Sequence, residues 1–129
     1  MQLEDSLIAL EINIKNDIND LKTTTYEFVK NEVEKGKKIY LYGASTSGNT
    51  LLQFFNLDKK LIKKAANRNP MKWGKKIIGT EIEIISEEQA RNERPDYFLV
   101  LPWYFINEFT SREELFIKNG GKLVVPLPN

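Results

Sequence analysis

Residues 38–55, KIYLYGASTSGNTLLQFF, carry the pattern that most narrows the fold. A short β-rich run, KIYLY, leads into a glycine-containing loop, GASTSGNT, and TLLQFF then opens a helix. A strand that turns through glycine into a helix is the first half of a βαβ unit, because parallel strands need a crossover connection. The loop also stands one letter away from two phosphate-binding signatures. Gly43, four residues, Gly48, then Lys and Ser/Thr would be a nucleotide-triphosphate loop, but Asn49 holds the lysine position. GxGxxG would be a dinucleotide fingerprint, but Ser45 holds the middle glycine position.

The alternation continues downstream. LIKKAANR (61–68) reads as a second strand, NPMKWGKKIIGT (69–80) as a loop and EIEII (81–85) as a third strand. Ser86 is placed to N-cap a short helix over EEQARN. DYFLVLP (96–102) is a nearly continuous apolar strand, as the buried centre of a parallel sheet requires. EFTSREELFIKN (108–119) reads as one helix with Glu108 and Arg112 spaced as an i,i+4 pair; Gly120 and Gly121 stop it, and KLVVPLP is the last strand. The layout predicts an α/β fold: a mainly parallel sheet of about five strands in the order 3-2-1-4-5, flanked by helices. Ahead of it, Leu3, Leu7, Leu10, Ile14, Ile18 and Leu21 form one apolar helical stripe. Thr23, Thr24 and Thr25 are β-branched and are expected to bend or interrupt that helix before Phe28, Val29 and Val33 resume its period and Gly36 ends it. The chain thus divides into a helical arm, 1–35, and an α/β domain, 36–129.

Composition removes several chemistries. The chain has no cysteine and no histidine, so its residues supply neither a Cys/His zinc site nor a Ser-His-Asp or Cys-His pair. A net charge of +1 argues against a generic nucleic-acid binder. No apolar run reaches the roughly 18 residues of a membrane span. Glu4 and Asp5 stand where a secretory signal would be basic, so the expected location is cytoplasmic. Charge is segregated: Lys59, Lys60, Lys63, Lys64, Arg68, Lys72, Lys75 and Lys76 fall in one stretch, and six acids fall between Glu81 and Asp96. Two solvated faces account for this, and so does a basic stretch that meets an anionic ligand or partner.

The loop lies where an anion site belongs, since a helix start offers unpaired N–H groups and a positive dipole end. Neither standard signature survives the chemistry. A triphosphatase needs a fixed lysine and a strand ending in a magnesium-binding acid; here Asn49 is neutral and the apolar strand ends in Pro102. For a dinucleotide site, Ser45 adds a side chain where the backbone must approach the pyrophosphate, and Asn67 replaces the ribose-binding acid. Ser45, Thr46, Ser47, Asn49 and Thr50 leave four hydroxyls and an amide around the helix start. They either cap the loop itself or complete a pyrophosphate cradle built on the amides of Gly43, Ala44, Ser45, Thr46, Ser47, Gly48 and Asn49.

YGASTSGNTLLQFF, RNPMKWGKKIIGTEIEI, RPDYFLVLPWYFINEF and NGGKLVVPLP, in that order, resemble the C-terminal domain of S-adenosylmethionine-dependent sugar C-methyltransferases. The resemblance covers about residues 36 to 128. It implies a Rossmann-like domain that helps hold a nucleotide-linked deoxysugar. The family's zinc domain and S-adenosylmethionine-binding catalytic core have no counterpart in this chain. It therefore implies no catalytic residue and no cofactor here, with S-adenosylmethionine expected in a partner or missing domain. Departures from the family pattern are Ser47 for a basic residue, Asn67 for an aspartate, Ile78 and Glu83 for prolines and Tyr104 for a histidine.

Ligands of open α/β sheets collect at the carboxyl ends of the strands. Three segments converge there: Gly43 to Asn49; Asn67, Arg68 and Asn69; and Pro102, Trp103 and Tyr104. Arg68 suits a phosphate or a surface ion pair. Trp103 and Tyr104 suit stacking on a base or sugar, or packing at the core's edge. Trp73 suits packing under its loop or contact with another domain. Glu81 and Glu83 alternate on one strand face and read as solvated. The leading reading is a non-catalytic domain binding a nucleotide-diphosphate sugar beside a methyltransferase core. An interaction module that dimerises through the amino-terminal helix, and a divergent NAD-type protein, are the alternatives.

Overall fold

The computed structural model of the chain describes residues 18–43, 46–101 and 106–126. Helix α1 spans Ile18–Glu34 and leads through Gly36, whose φ is 89°, into strand β1, Ile39–Tyr42. Next come helix α2, Thr46–Phe54, strand β2, Lys64–Asn67, and a 3-10 turn, Pro70–Lys72. Strand β3 is Glu83–Ser86, helix α3 is Glu87–Asn92 and strand β4 is Tyr97–Val100. Helices α4, Ile106–Arg112, and α5, Glu114–Lys118, precede strand β5, Lys122–Val124.

The five strands form one parallel sheet in the order β3-β2-β1-β4-β5, as the sequence predicts. Successive side chains of a strand face opposite sides, and the core divides accordingly. Ile39, Leu41, Ala65, Ile84, Leu99 and Val124 pack under α1 and α2, with Leu21, Val29, Leu52 and Phe55. Tyr40, Tyr42, Ala66, Ile85, Phe98, Val100 and Leu123 pack under α3, α4 and α5, with Ala90 and Phe109.

Three local expectations are corrected. The threonine run does not break α1, which is continuous from Ile18 to Glu34. Leu21, Thr25 and Val29 recur every four residues and are buried, so packing on the sheet overrides the modest helix cost of β-branched residues. From Leu21 onward the arm's stripe is therefore covered by its own domain; Leu3 to Ile14 lie outside the described residues. The helix expected over 108–119 is divided at Glu113 (φ −103°, ψ 27°), whose side chain turns inward. The loop over 69–80 returns alongside β3. Gly74 N donates to Ile84 O at 2.8 Å, Ile84 N to Lys75 O at 2.8 Å, and Ile77 N to Ile82 O at 2.8 Å. Glu81, expected in the third strand, occupies the turn of that hairpin with φ 63°, whereas Glu83 begins β3 and pairs with Lys64 at 2.6 Å.

Candidate functional site

The strand order places the candidate site. β1 lies at the centre of the sheet, with β2 on one side and β4 on the other, so the connections leaving β1 and β4 diverge and open a crevice at their carboxyl ends. Gly43 follows β1 at φ 75°, a conformation that side-chain-bearing residues rarely adopt. Its N–H is anchored on Ala66 O at 3.0 Å, and a Cβ there would stand 3.3 Å from the Phe109 ring. The turn itself favours glycine, and the close approach of the Phe109 ring on α4 leaves little room for a side chain.

Thr46, Ser47 and Gly48 form the first turn of α2, so the helix start meets the top of β1 as the sequence predicts. Ala44, Ser45, Pro102, Trp103 and Tyr104 lie outside the described residues. Asn49 Nδ2 donates sideways to Ile78 O at 3.4 Å, while its Oδ1 is buried without a partner among the described residues. Asn67 closes β2: its Oδ1 accepts from Asn69 N at 2.7 Å, and Asn69 Oδ1 accepts from Met71 N at 3.0 Å, capping the 3-10 turn. Arg68 is exposed, with no carboxylate within ion-pair distance among the described residues. The Trp73 indole N–H donates to Asn67 O at 2.7 Å, and the residue is 43% exposed.

A second cluster was missed by the sequence reading. The Tyr42 hydroxyl, at the end of β1, donates to Glu113 Oε2 at 2.6 Å and accepts from Arg112 Nε at 3.0 Å. Arg91 grips the same carboxylate through Nε at 2.8 Å and Nη2 at 2.6 Å. Glu87 bridges Arg91 and Arg112 at 3.1 Å each, and Arg112 also reaches Glu108 at 3.1 Å, the i,i+4 pair legible in the sequence. Burial, followed by the neighbouring Glu113 carboxylate, raises the Tyr42 phenol well above its ordinary range, so it stays protonated and serves as a donor. A companion pair closes the other end of α3: the Tyr40 hydroxyl donates to Glu93 and holds that carboxyl below its usual range, helped by Gln89. The signal for Glu113 was present. It sits four residues after Phe109 and four before Ile117, on the apolar stripe of the helix.

The cluster fixes α4 against the glycine turn. Arg112 lies 5.0 Å from the Phe109 ring centroid, and Phe109 packs edge-on against Tyr42 at 4.8 Å. Gly43, Tyr42, Phe109 and Arg112 therefore form one continuous contact. An open cleft of about 870 Å³ lies at the opposite end of the sheet, among Arg91, Arg94, Asp96, Phe116 and Gly121. It borders the amino ends of β4 and β5, away from where such sheets collect ligands, and its Arg91 is already committed to Glu113. Among the described residues no group of three His, Cys, Asp or Glu side chains is placed to hold a metal ion, and no helix is long and apolar enough to cross a membrane.

Fold and crevice define the class as an open, parallel α/β domain of the doubly wound kind, with a glycine turn at its switch point. Residues 9–128 match the C-methyltransferase C-terminal domain family, and the chain belongs to that family. It is also similar to C-methyltransferase NovU of Streptomyces niveus, at 38% identity over 102 residues, covering 79% of this chain and 24% of that protein. The chain thus spans about a quarter of the length of that relative.

Proposed function

We propose that this chain is the substrate-holding domain of a sugar C-methyltransferase and binds the diphosphate of a nucleotide-linked sugar at the loop Gly43–Asn49. The observation that carries the reading is a family match over residues 9–128 coinciding with a strand, glycine turn and helix start at the switch point of the sheet. Backbone amides at the start of α2 supply the anion site, aided by the dipole of a nine-residue helix. On this reading residues 44–48 would contribute the amides and hydroxyls, Asn67, Arg68 and Asn69 at the end of β2 would add polar contacts, and Pro102, Trp103 and Tyr104, outside the described residues, are assigned to the same site. Methyl transfer is assigned to a core domain or partner chain that carries S-adenosylmethionine, so no catalytic residue is placed here. The similar C-methyltransferase is a much longer protein, of which the matched region is 24%, and this supports that division of labour.

Thermal shift against TDP- and UDP-sugars tests it. A ligand present at about 100 times its dissociation constant stabilises by roughly 2.7 kcal/mol. Ser45→Asp sets a negative charge in the anion site and should abolish that stabilisation. An unshifted melting temperature at millimolar nucleotide sugar, or full binding by Ser45→Asp, removes the reading.

A further inference from the structure

We propose that the exposed indole of Trp73 is the stacking platform for the base of the bound nucleotide, a role that rests on the nucleotide-sugar reading above. Two consecutive carbonyls at the end of β2 set the geometry. Ala66 O accepts the Gly43 N–H at 3.0 Å, and Asn67 O accepts the Trp73 indole N–H at 2.7 Å. Successive carbonyls of a strand point to its opposite neighbours, so the glycine turn lies on the β1 side of β2 and the indole on its β3 side. Gly74 N confirms the placement of that side by donating to Ile84 O of β3 at 2.8 Å. The two features are thus separated by about 10 Å, two interstrand spacings of about 4.8 Å. A ribosyl diphosphate bridges a gap of that order between its base and its terminal phosphate.

Trp73 is also held for the role. Its N–H is spent on the strand end, which fixes the ring edge, while 43% of the residue faces solvent. The turn that carries it is rigidified by consecutive asparagine caps, Asn67 to Asn69 N and Asn69 to Met71 N. Arg68 and Lys72 stand exposed on the same turn, and the described residues place no carboxylate within ion-pair distance of either. Exposed positive charge and a half-exposed indole on one turn suit a nucleoside phosphate, whose base offers a stacking surface whatever its identity.

The test measures dissociation constants of the whole chain for inorganic pyrophosphate, UDP and TDP by calorimetry. In the natural protein both nucleotides should bind at least tenfold tighter than pyrophosphate. Trp73→Ala should weaken UDP and TDP by about tenfold and leave pyrophosphate unchanged, because stacking is lost and the anion site is not. Trp73→Phe keeps a π-face without the indole N–H and should retain most of the affinity, which separates stacking from the hydrogen bond to Asn67. Equal affinity for pyrophosphate and nucleotides in the natural protein overturns the platform while leaving the diphosphate site standing. Unchanged nucleotide affinity in Trp73→Ala does the same, and would return the exposed indole to contact with another domain. No binding of any of the three overturns both readings.

Discussion

The two faces of the sheet are built by different means. On one, helices of 17 and 9 residues lay aliphatic and aromatic side chains over Ile39, Leu41, Ala65, Leu99 and Val124. On the other, helices of 6, 7 and 5 residues cover tyrosines and phenylalanines, and a chain of carboxylates and guanidinium groups runs between them. Helices that short are not stable alone. Non-directional burial suffices where a long helix brings its own regularity, and directional bonds take over where each helix contributes barely two turns. The second construction sets position more sharply than the first, and it is the one that touches the glycine turn, through Phe109.

The comparison can be broken from either side, beginning with the largest expected effect. Leu52 is fully buried under the aliphatic face, so Leu52→Ala should cost about 3 kcal/mol in urea unfolding, whereas Leu52→Met should cost less than about 1.5 kcal/mol. Glu113→Gln alters no volume, yet it should cost about 2 kcal/mol, because Arg91 then faces an uncharged amide and Tyr42 loses a charged acceptor. That figure sits below the usual range for a broken buried pair because Arg91 keeps 36% of its side chain in water. A Glu113→Gln penalty smaller than that of Leu52→Met would mean that the charged network does not position the short helices. The smallest effect has the opposite sign. Thr25 Oγ1 is buried in the aliphatic face with no partner among the described residues, so Thr25→Val should raise stability by about 1 kcal/mol. A loss there would show that the hydroxyl is satisfied and that this face, too, relies on a polar contact.

What the sequence disclosed follows the same division. Strand positions and their order were legible because parallel strands buried on both sides read as apolar runs, DYFLVLP most plainly, and because Ser86 and Gly36 mark helix ends by local chemistry. Continuity of α1 through Thr23, Thr24 and Thr25 was not legible, since local propensity disfavours what the sheet beneath enforces. Glu113 was overlooked because its partners are long-range: Tyr42 lies 71 residues away and Arg91 lies 22 away, and no local pattern announces either. At the crevice, the placement of Gly43, Asn67 and α2 was readable from the strand, turn and helix pattern. Ala44, Ser45 and 102–105, part of which the sequence also assigns to the candidate site, fall outside the described residues.

The hairpin formed by residues 74–77 along β3 carries one further consequence. The outermost strand of an open sheet is a template onto which another copy can add its own strand. Here the chain folds back and occupies the amide of Ile84 and the carbonyls of Ile82 and Ile84 itself. Shortening that excursion would bare the flank and invite copies to join edge to edge, so the segment acts as a built-in guard against polymerisation on that side.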